Sequence, residues 1–301
     1  MDEESIYRCM KYSNMVVNLI GQEVPDRNYN LHDAHVVTPR LIASAARQAG
    51  IKTMVHFSAM GATLDPPTPW TKEEAEEYAK KNIILGKSDF LITKYLGEQA
   101  VQNEFPDAVI VRPSTLFGIC DNFINFYSAN GRKGRCVLGT YTVYMWKKGL
   151  EAIKRPLFVS DLLDAVEVLM RDKSARGKTY EFYGPHAYLL HDLVEYISNI
   201  QRTTLKIEHG LLWRRSFTGY YSGGYKSEDG TLILHDKSNT EYLSDIPSGL
   251  PGFEECGISR KKLQSIIDLA PIFLRNTADV TNTELEQSYY AKPIPPQPVL
   301  V

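Results

Sequence analysis

Runs of apolar residues alternate with amphipathic stretches along the first part of the chain. Three runs are apolar on both faces, a pattern typical of parallel strands covered by helices on both sides: Met15–Gly21, Thr53–Ser58 and Asp107–Pro113. Apolar residues at near-helical spacing predict helices between them, over Asp33–Ala49 and Ser88–Glu104. This alternation of strand and helix predicts an α/β fold with a doubly wound, Rossmann-like parallel sheet.

The same pattern continues more loosely towards the C-terminus. We predict short helices at Asp2–Lys11 and after the capping-box sequence that begins at Thr71, strands at Pro156–Ser160 and Lys178–Tyr183, and helices at Asp161–Met170, Leu189–Ile200 and Lys261–Asp268. After about residue 201 the chain is aromatic and glycine-rich without a clear period, and it ends in a proline-rich tail. We therefore expect a dinucleotide-binding type of domain over residues 1–185 and a smaller irregular region over residues 186–301.

Composition and charge exclude several classes of protein. The chain has 301 residues, 43% of them hydrophobic, and a net charge of −2, so a globular core is expected and no excess of basic charge points to nucleic acid. No apolar run approaches the roughly 18–20 residues of a membrane span. The four cysteines, at positions 9, 120, 136 and 256, form no Cys-x-x-Cys pair, which predicts a reducing compartment and neither a zinc site nor a disulfide framework.

Small and polar residues follow the predicted parallel strands. In open parallel sheets, ligands bind beyond the carboxyl ends of the strands. The candidate ligand-binding residues at these ends are Asn18, Leu19, Ile20, Gly21, Ser58, Pro113, Ser114, Thr115 and Leu116. Ordinary turn chemistry is the alternative explanation for each glycine and serine.

Histidines and basic pairs give weaker signals. His32 and His35 lack a third ligand at metal-binding spacing, so a solvated helix start is expected there and no metal site is predicted. The basic clusters Lys147–Lys148, Arg132–Arg135 and Arg214–Arg215 are either contacts for lipid headgroups or acidic subunits, or ordinary surface residues. A nucleic-acid partner is not expected.

Several of these residues occur in the order seen in the extended short-chain dehydrogenases/reductases. The matching positions are Asn18–Gly21, Ser58, Lys94, Arg112–Ser114 with Phe117–Gly118, and Val159–Asp161. Residues 13–21, 177–190 and 250–258 resemble more narrowly the branch of this family whose members are accessory subunits of mitochondrial respiratory complex I. This resemblance implies a place on the matrix side of the inner membrane, peripheral to it, with other complex I subunits as partners, one structurally held NADPH, and a role in assembly or stability.

The catalytic pair of the family is incomplete in this sequence. Family members use a Tyr-x-x-x-Lys pair on one helix face, in which the lysine lowers the pKa of the tyrosine that acts as general acid or base. Lys94 matches the lysine position, but Phe90 stands where the tyrosine is needed. We therefore expect no catalysis, and Lys94 either contacts a cofactor ribose or lies on a solvated surface.

The phosphate-binding loop of the family has no counterpart either. No Gly-x-x-Gly-x-x-Gly sequence occurs, and the resemblance implies that Met15–Leu19 corresponds to the fourth strand of the family fold. The first three family strands then lie outside this sequence, and the acidic start (Asp2, Glu3, Glu4) is best read as an internal helix. We expect poor binding of NADPH by this chain alone, and poor solubility from an apolar strand left at a sheet edge.

Two other functions remain as alternatives. The first is an active NAD(P)-dependent dehydrogenase or epimerase, which Phe90 disfavours. The second is a nucleotide-sensing regulator or an RNA-binding protein built on the same fold.

Overall fold

The chain forms two compact units in the computed structural model. The structure describes residues 3–23, 25, 28–119, 121–128, 140–201, 203–210, 224–226, 232–234, 241–274 and 293–300. The first unit comprises Met1–Ser114, Leu162–Phe182 and Lys226–Arg260, and the second comprises Thr115–Asp161, Tyr183–Tyr225 and Lys261–Val301. Both units are built from non-contiguous stretches, and the domain division at residue 185 stays a prediction.

Short helices and strands alternate along the described residues. Up to residue 128 they are α1 (Glu3–Met10), β1 (Met15–Asn18), a π-helical turn (Asp33–Val37), α2 (Thr38–Gln48), β2 (Thr53–Phe57), α3 (Lys72–Ala79), β3 (Ile83–Ile84), α4 (Asp89–Glu104), β4 (Val109–Pro113), β5 (Leu116–Phe117) and α5 (Ile124–Ser128). Beyond it they are β6 (Thr140–Met145), β7 (Ile153–Lys154), β8 (Leu157–Phe158), α6 (Val159–Arg171), β9 (Thr179–Phe182), β10 (Tyr188–Leu189), α7 (Leu190–Ile200), β11 (Thr204–His209), β12 (Gly224–Lys226), β13 (Leu232–Leu234) and α8 (Ile266–Phe273).

A four-stranded parallel sheet forms the centre of the first unit. Its strand order is β1-β2-β4-β9, and every neighbouring pair is parallel. The strands are short and strongly apolar, and Met54, Val55, Ile110 and Val111 are fully buried. Parallel strands with this composition need helices on their faces, so the predicted α/β fold is confirmed.

Helices α1, α2 and α4 contribute to one apolar core against this sheet. Ile42 and Ala46 of α2, Met10 of α1 and Val101 of α4 pack in one cluster with Met54 of β2. Helix α2 ends before Gly50, whose φ of +71° is the left-handed conformation that glycine adopts at a helix C-terminus. The predicted capping box at the start of α3 is also present in the structure.

Charged side chains connect the sheet of the first unit to helix α4 and to the 248–251 segment. The guanidinium of Arg112 donates to both carboxylate oxygens of Glu98, at 2.8 and 2.7 Å. On the outer strand β9, the Glu181 carboxylate accepts from the backbone N–H of Ser248 at 2.7 Å, and its own N–H donates to the carbonyl of Pro251 at 2.8 Å. The 248–251 segment thus covers the edge of the sheet formed by β9.

The second unit is built from small sheets and helices. β6 and β11 pair in parallel, β5 pairs with β8, and β7 pairs with β10. Lys147, Lys148 and Gly149 all adopt positive φ angles, held by a 2.9 Å hydrogen bond from the Lys147 N–H to His209 Nδ1. In the proline-rich tail, the N–H of Val299 donates to the carbonyl of Ala187 at 2.8 Å.

Among the described residues, no helix combines the length and the apolarity needed to cross a membrane. Most of the aromatic, glycine-rich stretch after residue 201 lies outside the described residues.

A close approach of two backbones fixes helix α4 in the first unit. A Cβ atom on Gly97 would lie 2.0 Å from the carbonyl oxygen of His35, in the π-helical turn. We expect Gly97→Ala to lower the free energy of unfolding by about 1–3 kcal/mol, because the backbones must separate even though alanine is the better helix former. Urea denaturation measures this change.

Gly86→Ala is the matched control, because a Cβ at Gly86 meets no atom within 4 Å. No loss of stability is expected for that variant. Equal stability of the two variants would show that the contact at Gly97 does not constrain the helix.

Candidate functional site

Two polar side chains meet where β1 and β2 run side by side. Asn18 and His56 are opposite each other in the parallel register and are 2% and 0% exposed. Asn18 Nδ2 donates to His56 Nδ1 at 3.0 Å, and Asn18 Oδ1 accepts from the N–H of Ile20 at 3.1 Å. Because His56 Nδ1 accepts, the proton of the neutral ring sits on Nε2, and this buried atom has no hydrogen-bond partner among the described residues.

His35 joins the loop after β1 to helix α4. Its Nε2 accepts from the backbone N–H of Gln22 at 3.1 Å, so its Nδ1 carries the proton and donates to Thr93 Oγ1 at 2.9 Å. Thr93 Oγ1 donates in turn to the carbonyl of Asp89 at 2.7 Å. The ring also meets Phe90 edge to face, with 5.3 Å between the centroids. The prediction of a solvated helix start is wrong for His35, which is buried, although His32 is exposed.

Lys94 is buried beside these residues and is only 7% exposed. Its Nζ donates to the carbonyl of Phe57 at 3.2 Å and lies 5.7 Å from the centre of the Phe90 ring. A Cβ atom on Gly21 would lie 2.9 Å from the same Nζ, so the absence of a side chain there leaves room for the ammonium group. The surface-lysine alternative is therefore wrong, and Lys94 points into the cluster.

Burial sets the protonation states of the cluster. Loss of hydration lowers the pKa of Lys94 to about 8, against the opposing effect of the Glu98 carboxylate. Burial, assisted by the charge of Lys94, lowers the pKa of His35 to about 4 and that of His56 to about 3. Both imidazoles are therefore neutral at neutral pH, and the lysine is the cationic group of the cluster.

The serines that end β2 and β4 are buried. Ser58 and Ser114 are 5% and 7% exposed. The N–H of Ser58 donates to the carbonyl of Val111 at 2.8 Å, and the N–H of Met60 donates to the carbonyl of Pro113 at 2.9 Å. Backbone hydrogen bonds thus hold the two strand ends together. The Ser58 hydroxyl has no hydrogen-bond partner among the described residues. It is thus a buried polar atom that a ligand or a water molecule could satisfy.

The structure separates the remaining candidates. Leu19 and Ile20 are 69% and 51% exposed and do not join the cluster. Thr115 and Leu116 belong to the second unit, where the Thr115 carbonyl accepts from Leu157 N–H at 2.9 Å. Of the predicted residues, Asn18, Gly21 and Lys94 come together. They meet beside the carboxyl end of β2, which Ser58 directly follows.

His35 and His56 are the residues that sequence reasoning missed. A signal existed for His56, because it lies two positions before Ser58 on a strand predicted to be buried and so shares its face. None existed for His35, whose position depends on a tertiary contact with Thr93.

Other candidate chemistry finds little support. Lys147 is paired with Glu151 at 2.9 Å, and the clusters Arg132–Arg135 and Arg214–Arg215 lie outside the described residues. Within the described part of the chain, no group of three or more His, Cys, Asp or Glu residues could hold a metal ion.

A parallel α/β sheet with polar groups at the carboxyl ends of its strands is typical of the doubly wound class of proteins. Residues 1–182 match the model of the NAD dependent epimerase/dehydratase family, and the chain belongs to that family. A solved structure of MoeE5 in complex with UDP-glucuronic acid and NAD superposes with a TM-score of 0.53 at 14% identity, covering 70% of each chain. At that identity the likeness shows the shared fold alone.

Curated relatives place the chain more narrowly. The mouse (Mus musculus) protein named NADH dehydrogenase (ubiquinone) 1 alpha subcomplex subunit 9, mitochondrial, is 31% identical over 97% of this chain and 70% of its own length. The Neurospora crassa NADH-ubiquinone oxidoreductase 40 kDa subunit, mitochondrial, is 26% identical over 64% of this chain and 44% of its own length. Within the larger family, the chain is therefore a member of the group to which the mouse protein belongs.

The neutral histidines make stability depend on pH. The pKa values of His35 and His56 in the folded state lie below the ordinary 6.5, so the unfolded chain takes up protons first as the pH falls. The free energy of unfolding should therefore fall between pH 6.5 and about 4, by about 1.4 kcal/mol per pH unit for each histidine. Replacing His35 with Gln should reduce the slope of the free energy of unfolding against pH by the contribution of one histidine. Urea denaturation at a series of pH values measures this slope.

His32→Gln is the matched control, because that ring is exposed three residues earlier in the chain. Its slope should equal that of the unmodified protein. An unchanged slope in His35→Gln would contradict the assignment of a buried neutral imidazole.

Proposed function

We propose that this protein is a non-catalytic accessory subunit of mitochondrial respiratory complex I, the NADH:ubiquinone oxidoreductase, and supports the assembly or stability of that complex. The observation that carries the proposal is the 31% identity to the mouse alpha subcomplex subunit over 97% of this chain. This similarity to the mouse protein extends over the second unit. The family model, which matches residues 1–182, covers that unit only in part. The partners are accordingly other subunits of the complex.

The geometry around Lys94 supports a role without turnover. The phenyl ring of Phe90 lies one helical turn from Lys94 on the same helix face and has no titratable proton. General acid–base catalysis typically contributes about 10²–10⁴-fold in rate, and no group at this position can supply it. The two buried imidazoles nearby are held by hydrogen bonds to Gln22, Thr93 and Asn18, which occupy three of their four ring nitrogens.

The cluster retains groups suited to holding a nicotinamide nucleotide, which we propose is NADPH. Lys94 offers a buried ammonium, for which Gly21 leaves room, and the Ser58 hydroxyl is unsatisfied among the described residues. When bound, the nucleotide would supply hydride-transfer chemistry, which this chain leaves unused. The proposed contacts within the first unit are Asn18, Leu19, Ile20, Gly21, Ser58, Lys94, Pro113 and Ser114.

A bound nucleotide stabilises a protein without any reaction. A ligand that binds only the folded state adds about 2.7 kcal/mol of stability at a hundredfold excess over its Kd. For a subunit of a large assembly, such stabilisation is itself a function. The proposed location is the matrix side of the mitochondrial inner membrane, by peripheral association through protein contacts and lipid headgroups.

Native electrophoresis tests the assignment to complex I. In mild detergent extracts of mitochondria, the tagged chain is expected to migrate with the very large assembly that carries NADH:ubiquinone oxidoreductase activity. A chain that runs free, or bound to RNA, would contradict the proposal and favour a nucleotide-sensing or RNA-binding protein. Turnover of a sugar nucleotide with NADP by the purified chain, abolished in Lys94→Ala, would instead establish an active enzyme.

Calorimetry tests the cofactor proposal. No Gly-x-x-Gly-x-x-Gly loop occurs in the sequence, so residues 1–301 alone should bind NADPH more weakly than micromolar. Lys94→Met should weaken the remaining binding about tenfold, because a hydrogen bond from a charged group is lost. The exposed Lys87→Met is the matched control and should leave binding unchanged. Micromolar or tighter affinity, or equal effects of the two variants, would contradict these contacts.

A further inference from the structure

Helix α4 carries a buried cation and a buried anion one turn apart. Lys94 and Glu98 are 7% and 3% exposed, and their spacing of four residues places them on the same face of the helix. The Lys94 ammonium donates to the carbonyl of Phe57 at 3.2 Å. Among the described residues, no carboxylate lies within ion-pair distance of this ammonium. Lys94 is therefore a buried cation without a direct counter-ion in the described part of the chain.

The Glu98 carboxylate is fixed by an arginine of the sheet. Both of its oxygens accept from the Arg112 guanidinium, at 2.8 and 2.7 Å, and this bidentate geometry sets the orientation of the carboxylate. Arg112 lies on β4, whose backbone is paired with β2 on one side and β9 on the other. The Glu181 carboxylate of β9 also favours the charged guanidinium. Glu98 is thus a negative charge in a fixed position.

The other side chains that surround Lys94 bring no negative charge to it. His56 of β2 and His35 of the π-helical turn are neutral imidazoles at neutral pH. The loop after β1 approaches the ammonium with Gly21, which has no side chain. Within the described part of the chain, Glu98 is therefore the carboxylate whose field favours the charged form of Lys94.

Burial makes the charge of Lys94 sensitive to alkaline pH. Loss of hydration lowers the pKa of Lys94 to about 8 even with the Glu98 carboxylate in place. The side chain is therefore mostly an ammonium at pH 7 and mostly a neutral amine above about pH 9. A neutral amine forms weaker hydrogen bonds than an ammonium does. The charge of a nucleotide phosphate, whose last pKa is about 6, is constant over the same range.

We propose that Glu98, held by Arg112, is a positioning residue for the nucleotide site and sets the upper pH limit at which the site binds its ligand. Glu98 acts through Lys94, because the carboxylate keeps the ammonium charged and the ammonium holds an oxygen of the nucleotide. Both carboxylate oxygens are engaged by Arg112, so Glu98 need not touch the ligand. This role rests on the proposed nucleotide site and adds to it a control by pH.

NADPH binding at a series of pH values tests the role of Glu98. Ligand-observed NMR on the full chain measures weak affinities, from about pH 7 to pH 10. We expect the affinity to fall roughly five- to tenfold across this range, as a charged hydrogen bond becomes a neutral one. Glu98→Gln should move the midpoint of this fall to lower pH by roughly one unit, because the carboxylate no longer favours the ammonium.

A second variant and a second measurement separate this effect from a loss of folding. Glu98→Gln leaves the Arg112 guanidinium without its partner, whereas the double variant Glu98→Met/Arg112→Met removes both charges of the pair. The double variant should move the midpoint in the same direction. The 13Cε chemical shift of Lys94, in chain labelled with 13C-lysine and assigned with Lys94→Arg, reports the titration of this residue without any ligand.

Glu104→Gln is the matched control. Helix α2 also packs against α4, and its Arg47 pairs with Glu104 at 3.0 Å, ten residues and about 15 Å along α4 from Lys94. Loss of that carboxylate should leave both titrations unchanged.

Three results would overturn the role of Glu98 while leaving the nucleotide site in place. They are an NADPH affinity that stays constant up to pH 10, a Lys94 titration that neither Glu98 variant moves, and an equal shift in Glu104→Gln. A failure to bind NADPH at every pH would overturn the nucleotide site, and the role of Glu98 with it.

Discussion

The backbone contact between Gly97 and the carbonyl of His35 is the constraint on which the candidate site depends. Gly97 shares a helix face with Phe90 and Lys94, at spacings of seven and three residues respectively. Because no side chain separates the two backbones at Gly97, the turn before it is held against the His35 ring. The lysine is thereby aimed inward, where its Nζ reaches the carbonyl of Phe57.

Burial of several ionisable groups in one place then determines what the cluster can do. Lys94, His35 and His56 cannot all be charged, because each charge raises the cost of the others in a poorly hydrated site. Glu98 offsets part of that cost for Lys94, but its carboxylate is already held by both bonds from Arg112. The result is a site with one cation and several fixed hydrogen-bonding groups, which suits binding and orientation. A tyrosine in place of Phe90 would add a titratable phenol to this site.

Periodicity predicted the elements whose pattern is strong and missed those whose structure is set by distant contacts. The three apolar runs, both long helices and the capping box at Thr71 were predicted, because local pattern and tertiary structure agree there. Two-residue strands such as β5 are too short to show alternation. The left-handed conformation of Lys147 and Lys148 contradicts the usual preference for glycine or asparagine, and contacts with His209 and His191 help to hold it.

The edge of the described sheet and the candidate site meet at the last residue of β1. Asn18 ends the outermost of the described strands, and its amide oxygen accepts from the N–H of Ile20 at the start of the loop that leads to Gly21. The order of this loop and that of the strand end are therefore coupled. Under the proposed function, a nucleotide bound beside Gly21 would stabilise both, because a ligand that binds only the folded state shifts the folding equilibrium towards it. A dehydrogenase fold can thereby serve an assembly through ligand binding, without catalysis.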